Sequence, residues 1–199
     1  VVVIETLDAQ EFIPIDQNHA FQLRSAYYGS NDSSLVQGTA AFTTGNDGVL
    51  ISAGRRQGHE LDNEAREIAN DEVDFTQHQG FAKWTHQFND SARLRSSVDF
   101  FEHNTQTDAR AVLGSGRFRN SSQILGDDHT QRSRISLQYQ QESIAFLDQI
   151  QANIYRQAGD TQQTTHEERL SRGTPVGLQR DFFFRDQSIG GELRAVTSL

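Results

Sequence analysis

The sequence predicts an all-β chain whose antiparallel strands run up and down as part of a transmembrane β-barrel. Three observations predict it. Apolar and polar residues alternate with period two along most of the chain, only 35% of the 199 residues are hydrophobic, and short and long connections take turns between the strand segments. A soluble domain of this size would have little apolar material for a core. A barrel wall shows lipid only every second residue, so its mean hydropathy stays low, and here it is negative.

The strand segments read Val1–Leu7, Phe21–Tyr28, Leu35–Thr43, Val49–Arg55, Phe75–Phe88, Ala92–His103, Arg132–Gln141, Leu147–Gln157 and Phe182–Thr197, about nine in all. The turn cluster "GNDG", Gly45 to Gly48, joins Val36, Gly38, Ala40 and Phe42 to Val49, Ile51 and Ala53 on one apolar face. Folding at "NDS", Asn89 to Ser91, sets Trp84 opposite Ser96, Ala82 opposite Val98 and Gly80 opposite Phe100, with Lys83, Arg93, Arg95 and Asp99 on the other face. In "SRISLQYQQESIAFLDQIQANIYRQ", pairing across Ser143–Phe146 sets Tyr139 opposite Ile150 and Leu137 opposite Ala152, while Gln138 meets Gln151. Each ribbon has one greasy and one wet face. Arg56–Asp74, Asn104–Gln131 and Ala158–Asp181 read as long polar loops at one rim, opposite the short turns, and Leu61–Ala69 carries a weak helical period. Pro14 and Pro175 both fall in connections, where a missing N–H costs no ladder bond.

Length favours lipid over a protein core, because several segments reach the roughly 9–11 residues of a tilted membrane crossing. Tyr27, Tyr28, Trp84, Phe88, Phe100, Phe101, Tyr155 and Phe182–Phe184 lie near strand ends and are candidates for aromatic girdles at headgroup depth. No run of eighteen apolar residues exists, which excludes a membrane-spanning helix. The net charge of −9, with neither basic patch nor basic helix, argues against a nucleic-acid partner. The chain has no cysteine, so disulfides and thiolate-bound zinc are excluded. It opens on "VVVIET" without an initiator Met and is read as part of a longer, processed protein.

The opening "VVVIETLDAQEFI" resembles the passage where the plug of TonB-dependent outer-membrane receptors hands over to the first barrel strand. The stretch "RSRISLQYQQESIAFLDQIQANIYRQAGDTQQTTHEER" and the closing "RDQSIGGELRA" resemble strands of the haem and haemoglobin branch of that family. The resemblance covers nearly the whole chain and consists of strand texture and spacing. It implies a barrel of about 22 strands filled by a plug, in the outer membrane of a Gram-negative bacterium. Residues 1–199 would form its N-terminal part, without the plug. The implied partners are outer-membrane lipid, the protein's own plug domain, the inner-membrane energy-coupling complex and a host haemoprotein. Haem would be the transported ligand. The family's haem-ligating histidines sit in the plug and a later loop, so none is carried onto this sequence.

Enzymatic motifs are not found. "HEERL", His166 to Leu170, places Leu170 where a zinc protease needs its second histidine, and "GSGRFR", Gly114 to Arg119, does not join a strand to a helix. His59, His129 and His166 are expected in external loops, as solvated residues or as haem or metal contacts, while His78 and His86 share the parity of the greasy face. The acidic stretch Gln57–Asp74 reads as a solvated loop or a charge-selective one. Arg93, Arg95, Asp99, Arg134, Gln138 and Gln151 are the candidate lumen-lining or plug-contacting residues. Two other assignments stay open: a siderophore receptor or porin of the same membrane, and a soluble β-sandwich binding module.

Overall fold

The computed structural model describes residues 6–60, 70–144 and 147–197. After a short helix, α1 (Ala9–Phe12), these residues form eight strands: β1 (His19–Tyr28), β2 (Ser33–Thr44), β3 (Asp47–His59), β4 (Glu72–Asn89), β5 (Ala92–Asp108), β6 (Ser121–Ile144), β7 (Leu147–Ser171) and β8 (Thr174–Val196). A single 3-10 turn, Gly116–Phe118, interrupts the β5–β6 connection. Every strand pairs antiparallel with its sequence neighbour in one sheet ordered β1 to β8. The sheet is not closed, since β1 and β8 each bond a single neighbour among the described residues.

Several expectations are corrected. The expected strand at Val1–Leu7 does not form over Thr6 and Leu7, and Val1–Glu5 lie outside the described residues. Ala158–Asp181 is not a loop: β7 and β8 run on as a long hairpin and turn at Arg172 and Gly173. Both turn residues have positive φ, 51° and 81°, the requirement of a tight turn matched to strand twist. This extension has polar residues on both faces, so it carries no hydrophobic period from which a strand could be read. Cross-strand bonds support it, among them Arg185 to Asp160 at 2.6 Å and Arg180 to Glu167 at 2.8 Å. Strand β5 likewise extends to Asp108 and β6 begins at Ser121, shortening the expected Asn104–Gln131 loop. The helical period at Leu61–Ala69 falls outside the described residues.

The expected pairings at the two earlier turns are present: Trp84 faces Ser96, Ala82 faces Val98, and Phe42 faces Val49. Across β6 and β7 the register differs by two residues from the expected one. Tyr139 faces Ala152 and Leu137 faces Ile154. An even slip leaves every side chain on its expected face.

The two faces are unlike. One carries exposed Phe21, Leu23, Val36, Ile51, Val98, Ile135, Ile154, Ile189 and Leu193. The other is polar, and the small apolar cluster of Ala9, Ile13, Ala41 and Leu50 sits on it, under α1. The chain exposes 13860 Å², where a compact monomer of its mass would expose roughly 9,400 Å². Its apolar residues lie mostly on the surface.

The apolar stretches form a slanted belt. They run Phe21–Tyr27 on β1, Val36–Phe42 on β2, Gly80–Trp84 on β4, Ile135–Tyr139 on β6 and Ile189–Ala195 on β8. The ladder level at the middle of the β8 stretch, Glu192, passes through Asn153, Gln138, Arg95, Thr85, Gly48 and Thr43 to Asn18. The middle of the β1 stretch is Arg24, well up the strand from Asn18. The belt therefore slips by roughly one residue per strand, which with ordinary strand spacing is a tilt of about 30°.

Candidate functional site

The polar face is occupied where the N-terminal segment lies on it. Asp8 caps α1 and its N–H donates to Glu11 Oε2 at 2.7 Å, the reciprocal half of a capping box that satisfies an otherwise orphaned donor. Ala9, Phe12 and Ile13 then pack on Ala20, Ala41, Leu50 and Phe81. Gly48 permits this approach, because a Cβ there would stand 3.1 Å from Ala9 Cβ.

Asp8 joins the segment to the sheet. Its carboxylate accepts from Lys83 Nζ at 2.5 Å, from Arg95 Nε at 2.9 Å and from Thr85 Oγ1 at 3.3 Å. Lys83 also donates to the Thr6 carbonyl at 2.6 Å, and Arg95 donates to Gln140 Oε1 at 3.0 Å. Asp8, Lys83 and Thr85 are all buried. Burial pushes the Asp8 carboxyl up, but the hydrogen bond from Lys83 and the charge of Arg95 outweigh it, so its pKa lies below the ordinary 3.8. A buried lysine and a partly buried arginine thus clamp one buried anion, and each cation also donates to a neutral oxygen, the Thr6 carbonyl and Gln140 Oε1.

Beyond this clamp lies a trough of about 500 Å³. Five of the six residues expected on the polar face line it: Arg95, Asp99, Arg134, Gln138 and Gln151. Arg93 is not among its lining residues and instead approaches Glu142 at 3.6 Å. Arg134 lies over the Tyr155 ring at 4.6 Å, and Arg132 over Phe101 at 5.6 Å. Tyr155 in turn covers Gly190 on β8, where an added Cβ would fall 2.6 Å from the ring. An aromatic ring laid over a cross-strand glycine shields its exposed backbone.

The aromatic residues do not form one set. By register, Tyr27, Trp84 and Phe100 share the apolar face, whereas Tyr28, Phe101, Tyr155, Phe182 and Phe184 belong to the polar face. Residues on opposite faces cannot belong to one girdle. Trp84 is held on the apolar face by Asp47, which accepts from its Nε1 at 3.0 Å and from His86 Nδ1 at 2.9 Å. His86 stacks on Trp84 and meets Phe88 edge-on.

The histidines expected in loops lie in strands. His59 ends β3 beside Asp74 at 2.5 Å, His129 is in β6 beside Asn104, and His166 is in β7 opposite Gln179. Among the described residues no cluster of three or more His, Cys, Asp or Glu side chains is disposed to hold a metal ion. Sequence reasoning missed Asp8, although "DAQE" is a capping-box pattern. No protein-family model and no curated protein matches the sequence.

Proposed function

We propose that this chain forms part of the wall of an outer-membrane β-barrel, with its apolar belt facing lipid and its polar face bounding an aqueous interior. The observation that carries the reading is the slanted belt. A slab of hydrocarbon crossed by tilted strands requires apolar residues to shift along successive strands by a constant stagger, and the belt slips by roughly one residue per strand. The large exposed apolar area has the same sense, because lipid replaces a second protein layer. Polar side chains inside need no apolar partner when water fills the interior.

The parent protein, on this reading, is a TonB-dependent receptor that imports haem, its wall contacting a plug and the rim reached by the extended β5–β6 and β7–β8 hairpins capturing a host haemoprotein. The haem assignment rests on the sequence resemblance alone. The docked N-terminal segment supports an occupied interior over the open channel of a porin. Transport here is non-covalent, and no residue is assigned a catalytic role.

These 199 residues contain no cysteine, so a label introduced here is unique once any cysteine elsewhere in the parent has been replaced. Single cysteines at Ala82, Val98 and Ile135, and at Ser97 and Gln138, are spin-labelled in the intact parent in vesicles. The first three are expected to collide with bilayer-dissolved oxygen and the last two with a water-soluble nickel complex. Oxygen-inaccessible labels at Val98 and Ile135 would overturn the membrane reading. Growth of a deletion strain on haem against ferric siderophores separates the two cargoes.

A further inference from the structure

The polar face carries two neighbouring arginines with unspent donors. Arg132 and Arg134 stand two residues apart on β6, on the same face and roughly 6.6 Å apart along the strand. Each guanidinium carbon lies over an aromatic ring of a flanking strand, Arg132 at 5.6 Å from the centre of Phe101 on β5 and Arg134 at 4.6 Å from that of Tyr155 on β7. Among the described residues neither has an ion pair or a side-chain hydrogen bond, in contrast to Arg95, Arg110, Arg180 and Arg185. A guanidinium held by attraction to a ring face spends none of its N–H donors on that contact, so its fork stays free for a carboxylate. Space exists beside them, because Arg132 faces Gly159 on β7, and a Cβ at Gly159 would meet nothing closer than 3.8 Å. Asp99 lies opposite Arg134 across the ladder, and Asp186 lies opposite Gly159, and among the described residues neither carboxylate is ion-paired with Arg132 or Arg134.

We propose that Arg132 and Arg134 form a binding station for a small polycarboxylate anion, one carboxylate on each guanidinium, with Gly159 providing the room. The station rests on the reading above only in that the polar face bounds an aqueous interior. Lipid contact by the other face is measured separately, so either can fail alone.

The test is calorimetric titration of the folded full chain with terephthalate, a rigid dicarboxylate, and with benzoate as its single-carboxylate counterpart. Folding is checked by circular dichroism, in detergent micelles or, should the chain prove water-soluble, in buffer. Terephthalate is expected to bind more tightly than benzoate. Arg132→Gln and Arg134→Gln should each weaken it about tenfold or more, as loss of a charged hydrogen-bonding group does. Gly159→Leu should block it with both charges intact, and Asp99→Asn should tighten it several-fold by removing a like charge. Arg24→Gln, which removes a polar-face arginine with no aromatic ring beneath it, should change nothing. No binding by the native chain overturns the station, as does equal binding by the double Gln variant or an equal loss on Arg24→Gln.

Discussion

Replacing Asp8 by asparagine keeps the shape of the side chain and removes the charge that Lys83 and Arg95 share. Removing one partner of a buried ion pair costs about 3–5 kcal/mol, because the other charge is left uncompensated. The lower end applies here. Lys83 keeps the Thr6 carbonyl and Arg95 keeps Gln140, so neither cation is wholly orphaned. A loss of about 3 kcal/mol corresponds to roughly a 150-fold rise in the opening equilibrium of the N-terminal segment. Hydrogen exchange at the Phe12 and Ile13 amides, which donate to the Asp8 and Ala9 carbonyls, reads that opening. The pH dependence follows from the sign of the shift. The Asp8 pKa is depressed in the folded state, so its contribution is complete above 3.8 and is lost as pH falls through the lower folded value. The native chain and Asp8→Asn should therefore differ at neutral pH and converge in strong acid. Protection changed by less than about threefold at pH 7 would show that the clamp does not hold the segment and would refute the reasoning.

Leu137→Arg, on the apolar face, should destabilise the protein in vesicles by about 2–4 kcal/mol in urea titrations, whereas Gln138→Arg one residue away should cost far less. Trp84 is the single tryptophan, so emission reports one site; bromine near the lipid headgroup should quench it more strongly than bromine at the acyl-chain end. Gly190→Val should drive the Tyr155 ring off the strand and lower stability by roughly 1–3 kcal/mol, measured by thermal unfolding, because the ring already occupies the space.

What could be read in advance depended on how a face announces itself. At the Asn89–Ser91 hairpin, Ala82 and Val98 fall on one parity and Lys83 and Arg95 on the other, so turn and alternation together gave the residue-level register. At β6–β7 the alternation gave the faces but not the register, because any even slip satisfies it. The β7–β8 extension was illegible for a different reason. Thr161, Gln163 and Thr165 alternate with Gln162, Thr164 and His166, polar against polar, and period two has no contrast to act on. The strand expected at Val1–Leu7 rests on the β-branched run "VVVIET", and the cap pattern "DAQE" that follows it shows a helix start but not what its Asp8 meets. The partners of Asp8, Lys83 and Arg95, lie on the expected polar face, but that they converge on one carboxylate is a property of the folded sheet.

The extension also supplies what the belt lacks. Within the belt a two-residue slip of β7 against β6 moves Leu137 from Ile154 to Ala152, one apolar neighbour for another, and Gln138 from Asn153 to Gln151. Burial is indifferent to such a slip. Further up the same strands it is not neutral. Ser121 Oγ donates to Glu167 at 2.7 Å, and the Thr130 and Thr161 hydroxyls meet at 3.3 Å. The slipped register would set Thr130 against Gly159 and draw Ser121 away from a carboxylate that is only 2% exposed. Losing a hydrogen bond to a buried charge costs about 1.5–3 kcal/mol, so this one contact can choose between registers that the belt leaves nearly degenerate. The belt thus sets which side of the ribbon is greasy, and the polar extension sets which residues meet.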